Sequence, residues 1–366
     1  MAVFTDVFED VTKYGKKLQT SEYKESGKYV IIDQGQKDIA GYTDETDGVF
    51  TDVPAIVFGD HTRVIKYVDK PCFLGADGVK LLKAKIENPN YKYLFYVLSN
   101  ADIPNTGYNR HFKWLKEVEI PLPNVEEQNK IVETLEKVDE LISCRKEQLA
   151  KLDELVKARF VEMFGSITDN KKNLDIVSID ELCTLIKDGT HQTPTYTEDK
   201  QNGFVFLSSK DVMTQKICWD DIKYIPLELH EKLYATIQPK RNDILMSKNG
   251  VNYGVAAVND TDKIFDIYVS LALLRPKTDI VNPVYLRCVI NNPDTKHQFD
   301  SSIKGIGVPN LHLGEIKKTK VLLPQMEKQN EFVVFVEQTE KTKAEVQKSL
   351  DELEILKKSL MQKYFG

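Results

Sequence analysis

The chain repeats part of itself, and this repeat limits the folds that its 366 residues can form. The segment that begins at Pro123 recurs 201 positions later at Pro324, and the same offset places the pair Phe164-Gly165 on the pair Phe365-Gly366. The match needs no gap between these points. An internal repeat of this length indicates two related modules in one chain, each ending in the repeated segment.

The match continues upstream of both prolines, where the two copies differ more. Asn109 and His111 correspond to Asn310 and His312 at the same offset. Still further upstream the offset shifts, as expected where loops differ in length. The repeat predicts a target domain, a helical spacer, a second target domain and a second spacer, at residues 1–122, 123–165, 166–323 and 324–366.

Both repeated segments have the pattern of a long helix. Each lacks Gly and Pro between an opening proline and a closing glycine, which is the usual punctuation of a helix. Apolar residues recur at alternating spacings of four and three between dense Glu and Lys, as in a coiled coil. The candidate apolar seam, and the candidate surface for partners, consists of Leu135, Val138, Ile142, Leu149, Leu152, Val336, Val346, Leu350 and Leu353.

An apolar seam of this length must be covered by a partner helix. A helix of about 40 residues extends about 60 Å at a rise of about 1.5 Å per residue. The other copy is the nearest partner, so we expect the two helices to form an antiparallel coiled coil within one chain. Pairing between two molecules is the alternative.

The two globular segments are predicted to be rich in β-strands. Gly, Asn and Asp separate short apolar alternations, which lie at residues 29–32, 55–58, 204–207, 243–246 and 268–274. A helix is predicted to begin near Asn90 and near Asn282. The expected fold class is α+β: two β-rich domains are joined by two long helices, with an internal pseudo-two-fold repeat.

Polar loops beside these strands carry the side-chain types that read DNA. Gln, Asn, Arg and Lys match the edges of bases in the major groove, whereas Ser and Thr suit phosphates. The candidates are Gln34, Gln36, Lys37, Asn109, Arg110, His111, Thr190, His191, Gln192, Lys210, Ser247, Lys248, Asn249, Lys304, Asn310 and His312. A polar loop alone is usually a solvated turn, and the residues shared by both copies have a structural role as the alternative.

Composition restricts the class of protein further. The net charge of -6 is unusual for a protein that binds nucleic acid alone, but affinity depends on the local field around clustered Lys and Arg. The five cysteines are scattered without a C-x-x-C pair, which argues against structural zinc and disulfides. The N-terminus lacks the pattern of a secretory signal, and no apolar run has the length of a membrane helix. We expect a reduced, cytoplasmic protein without a metal site.

Two short segments imitate catalytic motifs. The segment that begins at Asn88 reads Asn-Pro-Asn-Tyr, which lacks the second proline of the amino-methyltransferase element, and no Gly-rich S-adenosylmethionine loop follows an early strand. Asp294, Glu315 and Lys317 imitate a metal-nuclease signature, but the first copy of the repeat has no carboxylate at the position of Glu315. Phosphate-binding and hydrolase motifs are absent from the sequence. We therefore predict no catalytic residues.

The doubled order of domain and helix resembles the specificity (S) subunit of type I restriction–modification enzymes. The segments that carry the resemblance are residues 107–113 and 120–123, their partners at 307–313 and 321–324, the Glu-x-Gln elements at Glu126 and Glu327, and residues 243–250. The similarity covers essentially the whole chain. Residues 3–18 of the first domain match residues 177–189 of the second poorly.

The resemblance implies a bipartite double-stranded DNA target, with one half read by each target-recognition domain. It also implies that the helices set the spacing and dock two modification (methyltransferase) subunits, to which restriction (motor–nuclease) subunits are added. S-adenosylmethionine, Mg and ATP are then expected on the partner subunits and not on this chain. The alternatives are a stand-alone DNA methyltransferase or nuclease, and a coiled-coil scaffold that binds proteins.

Overall fold

A computed structural model describes residues 1–75, 77–303 and 309–366. The chain divides into two compact units. Unit 1 contains Met1–Gln148 and Val346–Gly366, and unit 2 contains Leu149–Glu345. Each unit therefore combines one β-rich part with a piece of both long helices.

Unit 1 begins with short strands and helical turns. Its strands are β1 Ala2–Val3, β2 Phe8–Asp10, β3 Tyr29–Ile32, β4 Gly41–Thr43, β5 Ala55–Gly59, β6 Ile65–Val68, β7 Cys72–Leu74, β8 Val79–Ala84 and β9 Glu119–Ile120. Its short helices are α1 Phe4–Val7, α2 Tyr91–Asn100 and α3 Phe112–Leu115, with 3-10 turns at Thr12–Tyr14 and Thr20–Glu22. The first long helix is α4 Val125–Phe164.

Unit 2 has the same types of element and additional helices. Its strands are β10 Asp175–Ser178, β11 Cys183–Asp188, β12 Phe204–Leu207, β13 Lys223–Ile225, β14 Ile244–Ser247, β15 Ala256–Val258, β16 Phe265–Ile267, β17 Leu271–Pro276 and β18 Lys320–Leu323. Its helices are α5 Ile179–Leu182, α6 Leu227–Tyr234, α7 Pro283–Ile290, α8 Pro293–Ser302 and α9 Leu313–Lys318, with a 3-10 turn at Ser209–Val212. The second long helix is α10 Met326–Phe365.

The strand order of the two units is the same. Unit 1 contains an antiparallel pair β1-β9, a four-stranded sheet β2-β8-β5-β6 and a three-stranded sheet β4-β3-β7. Unit 2 contains β10-β18, β11-β17-β14-β15 and β13-β12-β16. The pairs β3-β7 and β12-β16 are parallel, and the other pairs of strands are antiparallel. The opening regions, which match poorly in sequence, therefore share one order of strand, helical turn and strand.

Each unit is stabilised by a core in which aromatic rings pack against the end of a long helix. In unit 1 Tyr93 is almost completely buried, and its ring lies 5.6 Å from the ring of Phe365. In unit 2 Phe164 contacts the rings of Tyr285 and Phe332 at 5.3 and 5.5 Å. Buried aromatic pairs of this geometry add about 0.5–1.5 kcal/mol each to the effect of burial.

The long helices run antiparallel within each unit. In unit 1 the Arg145 guanidinium donates to Ser349 at 3.2 Å, and the ion pairs Lys146–Glu354 and Asp139–Lys357 measure 3.1 and 2.6 Å. In unit 2 Arg159 pairs with Glu331 at 3.3 Å, and Lys343 pairs with Asp153. Residue numbers rise on one helix as they fall on the other, which defines the antiparallel direction.

Most of the predicted elements are confirmed. Helices α2 and α7 begin after Asn90 and Asn282, whose side chains accept hydrogen bonds from backbone N–H groups as N-caps. The strand predicted at 268–274 begins only at Leu271, because residues 268–270 form a turn closed by the Leu271 N–H and the Tyr268 carbonyl at 2.9 Å. The prediction of strands at this point was therefore wrong by three residues.

Three further observations concern membrane-spanning helices, disulfide bonds and metal binding. None of the helices in the described ranges combines the length and the hydrophobicity that a transmembrane span requires. The five cysteines are unpaired. Among residues 1–75, 77–303 and 309–366, no group of His, Cys, Asp and Glu side chains is arranged to hold a metal ion.

Candidate nucleic-acid interface

Four loops of unit 1 meet at one end of the β5-β6 hairpin and form the first loop cluster, residues 33–37, 60–63, 77–78 and 105–111. The side chain of Gln34 connects three of these loops. Its amide nitrogen donates a hydrogen bond to the Asp77 carbonyl at 3.1 Å, and its amide oxygen accepts one from the His61 N–H at 3.2 Å. The Thr62 hydroxyl donates to the Gln34 carbonyl at 2.6 Å. The side chain of Gln34 therefore stabilises the loops, and its amide group is not free to contact a DNA base.

The outer surface of the first loop cluster carries exposed polar and aromatic side chains. Gln36, Lys37, Asn109 and Arg110, which the sequence suggested as candidates for DNA contact, are exposed. Tyr108 is 88% exposed and stacks on His61 with ring centroids 4.7 Å apart. Stacked aromatic rings and exposed amide and guanidinium groups are suited to nucleic acid.

His61 and Tyr108 were not among the predicted contacts. Tyr108 lies in the segment that carries the family resemblance, directly before Asn109 and Arg110. Its position in the sequence could therefore have identified it as a candidate contact. His61 had no signal in the sequence, because the β5-β6 turn that carries it is brought to residue 108 only by the fold. The His61 Nδ1 lies 3.1 Å from the Asn109 carbonyl oxygen, which joins the two loops.

His111 is a correction to the predicted set. Its side chain is completely buried, with Nδ1 2.9 Å from the Asp60 carbonyl oxygen, and its backbone N–H donates to the same carbonyl at 2.8 Å. The Asp60 carboxylate accepts from the Phe112 N–H at 2.7 Å, at the start of α3. His111 therefore holds two loops together and is not available to DNA.

Corresponding loops of unit 2 form the second loop cluster, residues 188–192, 208–211, 247–254, 268–270 and 309–312. The Lys248 N–H donates to the Ser270 carbonyl at 2.8 Å, and the Leu311 N–H donates to the Lys248 carbonyl at 2.9 Å. The Gly250 N–H donates to the Pro309 carbonyl at 3.1 Å. The fold thus brings the separated predicted loops of the second domain together.

The two histidines that the repeat aligns have different surroundings. In unit 1 the His111 backbone N–H donates to the Asp60 carbonyl. In unit 2 the equivalent hydrogen bond, to the Lys248 carbonyl, is donated by Leu311 and not by His312. Leu311 is buried and His312 is exposed. A shift of one residue between the copies therefore moves the second histidine to the surface, where it stays a candidate together with Asn310.

Lys248 and Ser247 are further corrections. The Lys248 ammonium donates to the Asp188 carboxylate at 2.7 Å, and only 6% of its side chain is exposed. The Ser247 hydroxyl is buried, donates to the Asn252 carbonyl at 2.9 Å and accepts from the Val255 N–H at 3.0 Å. Both side chains stabilise the loop from inside and do not face a ligand.

The charge on Asp188 is maintained by its neighbours. Burial by itself would raise the pKa of this carboxyl group, but the hydrogen bond and the positive charge of Lys248, with a smaller effect of His191, lower the pKa below its usual value. His191 lies 3.4 Å from Asp188 and is 74% exposed, so it remains accessible. The ion pair with Lys248 is therefore structural, and His191 is the exposed basic group beside it.

The remaining candidates of unit 2 differ in accessibility. His191, Gln192 and Asn310 are exposed, whereas Thr190 and Asn249 are half-buried. Lys210 is half-exposed and pairs with Asp211 at 2.8 Å, which raises its pKa and keeps it charged. The buried Asn249 Oδ1 atom has no hydrogen-bond partner among the described residues. Lys304 lies outside the described residues.

The predicted seam of the long helices divides into two groups. Leu135, Val138, Ile142, Val336 and Leu350 are buried within the chain, so these side chains have little surface left for a partner subunit. Leu149, Leu152, Val346 and Leu353 are half-buried. Large apolar side chains that are exposed on the two long helices, and that the predicted seam did not include, are Val125, Leu141, Leu155, Val161, Val334, Ile355 and Leu356.

The imitations of catalytic motifs have structural roles. The Asn90 side chain caps α2 by accepting from the Tyr93 N–H at 3.0 Å. The Asp294 carboxylate accepts from the Ile167 N–H at 3.0 Å. These hydrogen bonds give Asn90 and Asp294 structural roles, so neither residue needs a catalytic role to explain its position.

Comparison with known families identifies the chain. The model of the type I restriction modification DNA specificity domain matches it twice, at residues 4–154 and 171–355. The chain belongs to this family. The first match begins at Phe4, directly after β1, and the second begins shortly before β10. Both matches end within the long helices.

Curated relatives have the same family assignment in their names. The chain is 23% identical over 317 residues to the type I restriction enzyme MjaVIII specificity subunit of Methanocaldococcus jannaschii, covering 79% of this chain and 74% of the relative. It is 22% identical over 279 residues to the type I restriction enzyme EcoBI specificity subunit of Escherichia coli, covering 69% and 58%.

Solved structures show the same fold. An S subunit of a type I restriction–modification system from M. genitalium matches with a TM-score of 0.55 and 18% identity, covering 100% of this chain and 95% of that chain. A chain from a study of complex assembly and conformational transition of the type I system matches with a TM-score of 0.54 and 17% identity, with the same coverage.

Proposed function

We propose that this chain is the DNA sequence-specificity subunit of a type I restriction–modification complex and has no catalytic site of its own. The observation that carries the proposal is the double match to the DNA specificity family, once for each β-rich part. Each part presents one loop cluster with exposed amide, basic or aromatic groups. The chain then reads a bipartite double-stranded DNA target, with one half-site for each cluster.

The internal repeat is part of the proposal, and contacts that recur in both units support it. The amide of Gln128 donates to the Pro123 carbonyl at 2.9 Å, and the amide of Gln329 donates to the Pro324 carbonyl at 2.8 Å. The hydroxyls of Tyr93 and Tyr285 donate to carbonyl oxygens at residues 121 and 322, both at 2.9 Å. A pseudo-two-fold subunit of this kind suits a target made of two half-sites.

The proposed role of α4 and α10 is that of an antiparallel coiled-coil spacer that docks two modification subunits. Leu155 and Leu356 are equivalent by the repeat, and each remains nearly half exposed on its helix. Restriction subunits would join the complex through the modification subunits. S-adenosylmethionine, Mg and ATP would belong to these partners, and the cytoplasm is the compartment in which they meet DNA.

The target motif tests the proposed function. The chain and its modification subunit are expressed together, and the methylated sequence is mapped in the DNA of those cells. We expect two half-sites separated by an unread gap, and no methylation when the chain is omitted. Methyl transfer by the purified chain alone, or methylation that does not depend on the chain, would overturn the proposal in favour of an enzyme or a protein-binding scaffold.

Arg110 is expected to contribute directly to DNA affinity. Its side chain is exposed and has no ion pair or hydrogen bond to another described residue. Arg110→Glu is predicted to weaken binding of the methylated motif by about tenfold or more and to reduce the salt dependence of binding, because a phosphate or base contact is lost. Fluorescence anisotropy of the complex with the modification subunit, at several salt concentrations, measures both quantities.

A matched control is available on the same hairpin. Lys70 is exposed but follows β6 at the end of the β5-β6 pair opposite to the first loop cluster. Lys70→Glu changes the net charge by the same amount, and we expect little effect on affinity. Equal effects of the two substitutions would show that only overall charge matters, and would remove Arg110 from the interface.

The docking role predicts a defect that is separate from DNA contact. Leu155→Asp and Leu356→Asp are each expected to weaken binding of the modification subunit by about tenfold, since exposed apolar anchors often dominate an interface. Isothermal titration with the modification subunit measures the loss. Ile264→Asp serves as the control, because this residue is 53% exposed but lies beside β16 in the β-rich part. Unchanged affinity in both helix variants would place the dock elsewhere.

A further inference from the structure

Each loop cluster carries one large apolar side chain that is almost fully exposed. Tyr108 is 88% exposed in the first loop cluster, and Val251 is 85% exposed in the second. Among the described residues no other large apolar side chain is as exposed, and Met1 follows at 82%. Because burial of apolar surface is favourable, these two side chains are surfaces that a ligand of each cluster would cover.

The two side chains lie at the same end of equivalent hairpins. In unit 1 the Asp60 N–H, at the start of the β5-β6 turn, donates to the Gly78 carbonyl at 2.7 Å. In unit 2 the Lys248 N–H, at the start of the β14-β15 turn, donates to the Ser270 carbonyl at 2.8 Å. These matching hydrogen bonds show that the two turns occupy equivalent positions in the two units.

The two units supply the exposed apolar side chain from different loops. In unit 1 the ring of Tyr108 stacks on His61 of the β5-β6 turn, with an angle of 6° between the rings. In unit 2 the β14-β15 turn is longer, with residues 248–255 against residues 60–64, and carries Val251 itself. The position is the same although the loops differ, which is expected if the ligand and not the fold requires an apolar group there.

Backbone hydrogen bonds hold both exposed side chains in position. Gly107 and Gly250 directly precede them, and their φ angles of 78° and 86° lie in the left-handed region that favours glycine. The Asn109 N–H donates to the Gly107 carbonyl at 2.8 Å, and the Gly250 N–H donates to the Pro309 carbonyl at 3.1 Å. A side chain on a loop that is already ordered loses less conformational entropy when it binds.

We propose that each loop cluster inserts this apolar side chain, Tyr108 or Val251, between neighbouring base pairs at one step of its half-site. The inference rests on the proposed function, since it concerns the same DNA. An apolar side chain that enters a base step unstacks the bases and bends the duplex. Pyrimidine–purine steps unstack most easily, so each insertion adds a preference for such a step without a hydrogen bond to a base.

Fluorescence of 2-aminopurine in the bound DNA tests the inference, because its emission rises when stacking is lost. In the complex with the modification subunit it replaces each adenine of the mapped motif in turn, except the methylated ones, which methyltransferases flip out of the duplex. We expect a rise at one step of each half-site. Tyr108→Ala should remove the rise in one half-site and Val251→Ala the rise in the other, each with about tenfold weaker binding.

Tyr108→Phe keeps the ring and should retain the fluorescence rise and most of the affinity. Val3→Ala and Ile264→Ala are the controls, because these side chains are 49% and 53% exposed but lie outside both loop clusters. The inference is overturned by an unaltered rise in Tyr108→Ala and Val251→Ala, by loss in the same half-site from both, or by equal weakening from Tyr108→Phe and Tyr108→Ala. The proposed function fails separately, when methylation of the motif does not depend on the chain.

Discussion

Removing one heptad from each long helix is expected to shorten the gap between the two half-sites by about three base pairs. The matched deletions are residues 144–150 in α4 and 346–352 in α10, which lie opposite one another around the contact of Arg145 with Ser349. Seven helical residues span about 10 Å at about 1.5 Å each, and base pairs are spaced at about 3.4 Å. Sequencing of the methylated motif measures the gap.

The phase of the two helices predicts an additional effect. Seven residues return an α-helix almost to its starting orientation, whereas three base pairs turn the duplex by about a quarter to a third of a turn. The shortened chain should therefore methylate its new motif more slowly than the native chain methylates its own. Deletion in only one helix breaks the pairing and is expected to abolish activity. An unchanged gap after the paired deletion would refute the role of the helices as a spacer.

Lys248→Glu is expected to destabilise unit 2 by about 3–5 kcal/mol, because it leaves two carboxylates where a buried ion pair stood. The side chains of Lys248 and Asp188 are 6% and 20% exposed. When both proteins also carry Trp114→Phe, Trp219 of unit 2 is the single tryptophan, so its emission during urea unfolding reports the free energy of unfolding of this unit. DNA binding by unit 2 would fail in consequence.

The control is Lys200→Glu, which reverses an exposed charge in the same unit and should change stability by about 0.5 kcal/mol at most. If Lys248→Glu weakened DNA binding without changing the unfolding of unit 2, Lys248 would be a direct contact after all. Such a result would restore the expectation drawn from the sequence.

The same ion pair predicts a dependence on pH. The folded state lowers the pKa of Asp188, so its contribution to stability is present above the unfolded pKa of about 4 and is lost as pH falls through the lower folded value. Lys248→Met removes the partner, and the unfolding of unit 2 should then depend less on acid. Comparison of urea unfolding at neutral and acidic pH measures the difference.

Features that depend on neighbours in the sequence were predicted well. The spacing of apolar residues and the closing glycines gave both long helices, because helical hydrogen bonds join residues four apart. The caps at Asn90 and Asn282 are equally local. The predicted readout residues fared less well, since a polar loop in the sequence carries no information about what packs against it.

The pattern of residues was enough to predict two related β-rich parts, each followed by one long helix. The division of both helices between two compact units became visible only in the structure. The same holds for the question of which loop residues face outward. His111 is buried by Asp60, 51 positions away, and Lys248 by Asp188, 60 positions away. Exposure is set by such long-range contacts, and a repeat that aligns His111 with His312 does not reveal the one-residue shift that buries the first and exposes the second.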